Sequence, residues 1–430
     1  MRIRGKSAAE IFDSVRAQVQ SQQLLPGQGL PPVRELAAQL DVNRNTVAAA
    51  YKRLVAAGIA TAQGRRGTTI RGQGPGEQEG ALPDSPLVDL ASGNPDPAWL
   101  PDLAAALRAR PYLPRLYGEP LINAGLEAHA RAWFAQDCPA SFEVDLAHGA
   151  VDAIERLLGA LLVPGDKVAV ENPCFLSSIN LLRLAGLQAA GVPVDAEGMQ
   201  AQALDTALAK GARAVILTPR AHNPTGCNLS ARRARALSRV LAKHPHVVVI
   251  LDDHFALLSN AAYHSVLPAG TRRWALVRSL TKALGPDIRM ALVASDEATS
   301  RQLRLRLASG TNWVSHLLQD MAETTLGSPE ATRLMTRARK GYALRRKRLE
   351  DALGGQGIAC LEGGDGLNLW VPLATDDQAV ARALARRGWL VRHGQAFGVH
   401  EAVPGLRITL SGIEPAQCRQ LASDLRHCLG

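Results

Sequence analysis

The chain has no apolar run approaching the roughly 18 residues of a membrane span; its best strand-like run is Val247 to Leu251. The start, MRIRGKSAAE, is charged and leads into no apolar stretch, so no secretory leader is expected. Cysteine is sparse and scattered. Cys138, Cys174, Cys227, Cys360, Cys418 and Cys428 form no CxxC pair, which argues against a zinc site and against a disulfide framework. No fixed-period repeat is present. These absences lead to the expectation of a cytoplasmic protein with reduced thiols, no metal and no membrane partner. Acidic residues are scarce in one place. Residues 1–72 carry eleven Lys and Arg against four Asp and Glu, a net +7 out of the chain's +10. That excess suits a polyanionic partner for this segment alone.

What is present divides the 430 residues into unlike parts. Ser7-Ala8-Ala9-Glu10 has capping-box spacing and opens a helix expected from Ala8 to Gln22, with Ile11, Val15 and Val19 on one face. Pro31-Pro32 opens a second helix with Val33, Leu36, Ala37 and Leu40 inward. Asn43 is the N-cap of a third, with Val47, Ala50, Tyr51, Leu54 and Val55 inward and Gly58 as its stop. A hairpin with a basic tip follows around Gln63-Gly64-Arg65-Arg66-Gly67. The expected divisions are a DNA-reading domain over 1–71, a flexible Gly- and Pro-rich linker over 72–86, and a large domain over 87–430. In the large domain short β-branched runs alternate with amphipathic helices, which predicts βαβ units, a mostly parallel sheet and a smaller α+β lobe at the C-terminal end.

Three helices, a tight turn and a basic hairpin describe a winged helix-turn-helix. Its third helix begins Asn43-Arg44-Asn45-Thr46, placed to meet base edges in a major groove. Arg34 suits a phosphate, and Arg65 and Arg66 at the wing tip suit phosphates or the minor groove. The string LPPVRELAAQLDVNRNTVAAAYKRLVAAG resembles the DNA-binding domain of the GntR regulators over nearly all of residues 8–70.

In an open α/β sheet, ligands sit beyond the carboxyl ends of strands. Three expected strands run into chemistry there: Ala214–Leu217 into TPRAHNPTG, Val247–Leu251 into Asp252-Asp253-His254, and Ala275–Val277 into Ser279-Leu280-Thr281-Lys282, with Arg289 seven residues on. An amine, a carboxylate, hydroxyls, an amide and a guanidinium at one edge suit pyridoxal phosphate. The amine takes the aldehyde, the carboxylate holds the ring nitrogen protonated, and the phosphate takes an arginine, hydroxyls and a helix N-terminus. The segment His148-Gly149-Ala150-Val151 opens such a helix.

The motifs HNPTG, DDH and SLTKALGPDIR resemble those of fold-type-I aminotransferases. The resemblance implies Lys282 as the aldimine lysine, Asp252 as partner of the ring nitrogen and Asn223 as ligand of the ring hydroxyl. It implies Ser279, Thr281, Arg289 and the amides of Ala150 and Val151 as phosphate ligands. Phe175 in ENPCF stands where a tyrosine usually stacks on the ring. Tyr117 in LYGEP matches a tyrosine that reaches the partner subunit's phosphate, and Arg407 in GLRITLS matches an arginine for a substrate carboxylate. Two positions depart from the pattern. His254 replaces a usual tyrosine beside the ring hydroxyl, and Val151 lacks a polar side chain at the phosphate turn. Both weigh against turnover more than against cofactor binding.

A GntR-like reader joined to an aminotransferase-like domain is the architecture of the MocR regulators, and the resemblance spans essentially all of the chain. Within that group the combination VNRNTVAAAYKRL, NPCFLSSIN, TPRAHNPTG and LDDHFALL looks like the members that regulate vitamin B6 salvage through pyridoxal kinase expression. The resemblance implies a homodimer on double-stranded DNA and a regulator that senses pyridoxal phosphate as an internal aldimine on Lys282. Two alternatives share the motifs: a working aminotransferase with an accessory reader, and a regulator sensing an amino acid through an external aldimine.

Overall fold

The computed structural model describes residues 3–25, 27–57, 59–62, 67–70, 85–111, 113–308, 310–361, 363–399, 401 and 403–430. Its N-terminal part folds as three helices and a hairpin. Helix α1 (Ala8–Gln20) starts at Ser7, whose Oγ accepts from the Glu10 amide at 3.2 Å. It stops two residues before the expected end, because Gln22 turns left-handed at φ 57°. Helix α2 (Val33–Leu40) ends at Asp41, also left-handed, and Lys6 Nζ donates to the terminal Leu40 carbonyl at 2.7 Å. Helix α3 (Arg44–Ala56) is capped by Asn43, whose Oδ1 accepts from the Asn45 amide at 2.8 Å. Strands β1 (Ala60–Ala62) and β2 (Thr68–Ile70) pair antiparallel, Thr61 opposite Thr69. Ile11, Val15, Leu36, Val47, Ala50, Leu54 and Ile70 close one core, each large side chain contributing about 1.5–3 kcal/mol by leaving water. Val55, expected inward, is exposed: one helical step past Leu54, it falls outside the buried stripe. The Gly58 stop, the wing-tip residues Arg65 and Arg66, residue 71 and residues 72–84 of the expected linker lie outside the described residues.

The large domain starts with the short strand β3 (Val88–Asp89) and helices α4 (Leu103–Arg108) and α5 (Ala124–Phe134). Next come β4 (Glu143–Ala147), α6 (Ala150–Leu161), β5 (Lys167–Asn172), β6 (Gln188–Asp195), β7 (Gly198–Met199), β8 (Ala212–Leu217), β9 (Val248–Asp252), β10 (Trp274–Ser279) and β11 (Ala291–Ser295). They form one sheet in the order β4-β11-β10-β9-β8-β5-β6-β7. Strands β5, β8, β9 and β10 run parallel in its middle. Their residues are buried almost throughout, as a strand covered on both faces must be. The expectation of a mostly parallel sheet needs correction at the ends: β10–β11, β11–β4 and β6–β7 are antiparallel. Residues 280–290 join β10 to β11 and are too few for the crossover of a dozen or more residues that a parallel return needs. Because β11 reverses twice, β4 again points the same way as β10, and its carboxyl end joins theirs on one edge.

The smaller lobe is a three-stranded antiparallel sheet of β12 (Asn368–Pro372), β15 (Gly405–Thr409) and β14 (Arg392–His393). Helices Asp377–Ala385 and Pro415–Leu429 pack against it over Leu369, Leu384, Ile408, Leu421 and Leu425. The lobe is not built from the C-terminal residues alone. Strand β3 pairs in parallel with β13 (Trp389–Leu390), and Leu90 is buried in the same core.

Candidate functional site

The carboxyl edge of the sheet holds a cavity of about 330 Å³, within the range of small-molecule sites. Ten of the expected cofactor residues line it: Ala150, Val151, Phe175, Asn223, Asp252, His254, Ser279, Thr281, Lys282 and Arg289. They converge because β4, β5, β8, β9 and β10 all end at this edge, each delivering its next residues to the opening.

The paired acids of β9 part ways. Asp253 is fully buried between two arginines, accepting from Arg220 Nε at 2.9 Å and from Arg278 Nε at 3.0 Å. Its charge is thus neutralised inside the fold. Asp252 faces the cavity while only 7% exposed, and its Oδ1 has no hydrogen-bond partner among the described residues. Burial, and then the neighbouring Asp253 charge, raise the Asp252 carboxyl to about 7, against the opposing pull of Lys282. A buried carboxylate oxygen without a donor is costly, so this carboxyl either takes up a proton, as its raised value shows, or takes a cation or an N–H from a ligand. Behind it Glu171, at the end of β5, accepts from the Thr218 amide at 3.1 Å and the Thr218 hydroxyl at 2.9 Å. Burial pushes Glu171 up to about 8 and the adjacent His222 down to about 3.

At the opposite end of the cavity is the start of α6. Gly149 precedes it at φ 96°, a left-handed conformation that favours glycine. A Cβ there would lie 3.3 Å from the Arg289 guanidinium. Arg289 is itself held left-handed at φ 40°. The first amides of α6 have no partner within the helix. With Arg289, Ser279 and Thr281 beside them, they form a positive cradle for an anion. Between the two ends Lys282 Nζ donates to the Gly93 carbonyl at 2.7 Å.

Two expected residues lie elsewhere. Arg407 is fully buried and does not line the cavity; Nη1 donates to Asn223 Oδ1 at 3.0 Å and Nη2 donates to the Ala91 carbonyl. It holds a cavity residue from behind. Tyr117 is 90% exposed with its ring against Trp313, away from this chain's cavity. Sequence reasoning missed Ser92, Gly93, Asn94, Ser177, Thr218 and Asn368, which also line the cavity. Ser92-Gly93-Asn94-Pro95 reads as a turn, and nothing local ties it to a lysine 189 positions away.

The N-terminal module has its own surface. Arg34, Asn43, Arg44 and Asn45 are exposed and Thr46 is half-buried, while Val47 and Ala50 beneath them are buried. The Asn43 oxygen is used in capping α3, so its part in positioning the helix is visible directly.

Two family descriptions match the chain: bacterial regulatory proteins of the gntR family over residues 7–70, and aminotransferase class I and II over residues 85–425. The vitamin B6 salvage pathway transcriptional repressor PtsJ of Salmonella typhimurium is 54% identical over 99% of both chains. The chain is a MocR-type regulator of the GntR family. The pyridoxine biosynthesis transcriptional regulator PdxR of Corynebacterium glutamicum is 26% identical over 80% of this chain and 78% of its own. The large domain has the fold of the aminotransferases. The Pyrococcus horikoshii kynurenine aminotransferase superposes with a TM-score of 0.72 at 20% identity, covering 80% of this regulator and 91% of that enzyme. The Thermus thermophilus LysN α-aminoadipate aminotransferase, solved with N-(5'-phosphopyridoxyl)-L-leucine, gives 0.71 at 21% identity, covering 80% and 92%. No helix among the described residues is long and apolar enough to cross a membrane.

Proposed function

We propose that this regulator represses genes of vitamin B6 salvage, pyridoxal kinase expression among them, and that pyridoxal 5'-phosphate bound in the cavity is its effector. The observation that carries the reading is the convergence, in a chain with a GntR reader, of an amine, an unpartnered buried carboxylate oxygen and an anion cradle around one cavity. The residues fit the group. The start of α6, Ser279, Thr281 and Arg289 would take the phosphate. Asp252 would accept from the ring nitrogen, which its raised carboxyl now lacks as a partner. Asn223 and His254 would meet the ring hydroxyl, Phe175 would cover a ring face, and Lys282 would take the aldehyde. Bound there, the group supplies an electrophilic aldehyde on an electron-withdrawing ring. Asp252 holds a proton at the ring nitrogen, and the surrounding apolar wall of Phe175, Phe255 and Leu367 excludes water.

The large domain acts as a sensor without efficient turnover. His254 supports this, because an imidazole titrates far below the phenol that usually stands beside the ring hydroxyl. Steady-state transamination over a panel of amino acids is expected to stay well below the enzyme median of about 10 s⁻¹; a rate near that median would establish a working aminotransferase. A second copy of the chain completes the assembly. Leu113, Leu116 and Tyr117 are 64%, 73% and 90% exposed, an apolar surface of the kind that marks an interface. It fits a dimer in which Tyr117 reaches the partner subunit's phosphate and two readers meet one two-fold operator. Arg34, Arg44, Asn45 and Thr46 would contact that operator, with Asn43 fixing the helix start and Arg65 and Arg66 extending the contact at the wing. Operator affinity measured with and without the cofactor tests the whole reading.

A further inference from the structure

The residues that follow the join with the reader run straight into the cavity, and their backbone is held at every step. The Val88 amide donates to Gly388 O at 2.8 Å and the Leu90 amide to Leu390 O at 2.9 Å. The Leu90 carbonyl accepts from the Thr409 amide at 2.8 Å. Asp89 Oδ1 accepts from the amides of Ala91 at 2.8 Å and Ser92 at 3.0 Å. The Gly93 amide donates to Thr409 Oγ1 at 3.2 Å. Two carbonyls of this segment then accept from two cations, one behind the cavity and one lining it: Ala91 O from Arg407, and Gly93 O from Lys282 Nζ at 2.7 Å. Gly93 sits at φ 67°, in the left-handed region where glycine moves most freely.

We propose that residues 89–94 are a strap that reads whether Lys282 carries a ligand and passes the state up the chain to the reader. The inference rests on the reading that an aldehyde ligand attaches to Lys282. Attachment consumes the donor. The neutral Nζ amine adds to the carbonyl carbon, a C=N bond forms, and the carbonyl oxygen leaves with the two amine protons as water. The nitrogen then keeps at most one N–H where the ammonium had three, and its geometry is set by the ligand. The Gly93 carbonyl loses its donor, and a carbonyl away from bulk water does not stay unpaired without penalty. The strap therefore shifts at Gly93. Arg407 couples the same strap to Asn223, a residue of the ring end, so both ends of one short segment report on the cavity. Upstream, β3 pairs with β13 over two residues, so the bonds that hold the strap run on from Gly93 to this short pairing, and a shift at Gly93 has only one short element to cross.

The test uses the full chain, pyridoxal 5'-phosphate, and a labelled duplex selected by the wild-type protein from a random library. Hydrogen exchange at Ala91, Ser92 and Gly93 is expected to quicken roughly tenfold on loading, the size of one net hydrogen bond. The variant Asp89→Ala removes the strap's own cap and no cavity-lining group. It is expected to load the cofactor, seen as the visible absorption band, yet to bind the duplex equally with and without it. Unchanged wild-type exchange with the band present overturns the strap while leaving the proposed function standing, provided duplex affinity still shifts. An Asp89→Ala chain that loads and shifts as wild type does also overturns it. If wild-type duplex affinity does not shift on loading, the effector reading fails and the strap fails with it. Should Asp89→Ala not fold, the wild-type exchange alone decides.

Discussion

The reader and the cavity place their functional groups in opposite ways. In the reader, Asn43, Arg44 and Asn45, which would meet DNA, stand exposed on consecutive positions at the start of one helix, and the apolar residues beneath them form the core. In the cavity, the groups come from segments as far apart as Ser92 and Asn368, and behind Asp252 the buried Asp253 is held by the buried Arg220 and Arg278. A surface of the first kind can change its contacts without disturbing the fold. A site of the second kind cannot: removing one partner exposes another to a cost in desolvation. Substitutions of exposed reader residues that cap nothing, such as Arg44, should therefore alter DNA affinity alone, while those in the cavity should alter ligand binding, titration and stability together.

The sharpest break in that comparison is Lys282→Ala. It should abolish the visible absorption band of the attached cofactor, leave residual non-covalent binding through the phosphate and ring contacts, and leave the far-UV circular dichroism unchanged. Asp252→Ala should weaken cofactor affinity by roughly ten- to hundredfold, the worth of a charge-assisted hydrogen bond of about 1.5–3 kcal/mol, in a spectroscopic titration. On the reader's side, Arg44→Ala should cost operator affinity about 1–3 kcal/mol while cofactor titration stays as wild type. Equal loss on random DNA would make Arg44 a phosphate contact, and no loss on either would remove α3 from the interface.

A pH series separates the two regions by titration. Burial raises Asp252 to about 7 and Glu171 to about 8, above the roughly 4 of an unfolded carboxyl. Between those values these two carboxyls bind more protons in the folded chain than in the unfolded one, so the stability they contribute falls as pH rises through the window; His222, held down at about 3, works the other way below about 6.5 and offsets part of the fall. The cofactor-free protein should melt lower at pH 8 than at pH 5. Asp252→Asn and Glu171→Gln should each flatten that slope, and Arg44→Ala should leave it as it is. The smallest effect belongs to the cap: Asn43→Ala should destabilise the reader by about 1 kcal/mol, measured by denaturant unfolding of the full chain at its first transition.

Much of this was legible in the sequence where chemistry and local signals coincide. Asn43 caps α3 as its residue type implies, and the strands before Asn223, Asp252 and Lys282 sit side by side with those residues at one edge. The antiparallel end of the sheet was not legible, because only the length of the β10–β11 connection encodes it. Val55 was misplaced for want of one position of helical phase. Gly93 and its neighbours were invisible because the Lys282 contact spans two lobes of the domain and leaves no periodic trace. Arg407 carries a motif, yet its motif could not say that it grips Asn223 and Ala91 from outside the cavity.

The most direct measurement is the affinity of the wild-type protein for its operator with and without saturating pyridoxal 5'-phosphate, at one fixed salt concentration because phosphate contacts make affinity salt-dependent. A ligand can move that affinity only by preferring one arrangement of the protein over another. The account predicts a shift that disappears in Lys282→Ala. An operator affinity, and transcription from the bound promoter, that are the same in both conditions would contradict it, and would assign the effector role to an amino acid or amine that displaces Lys282.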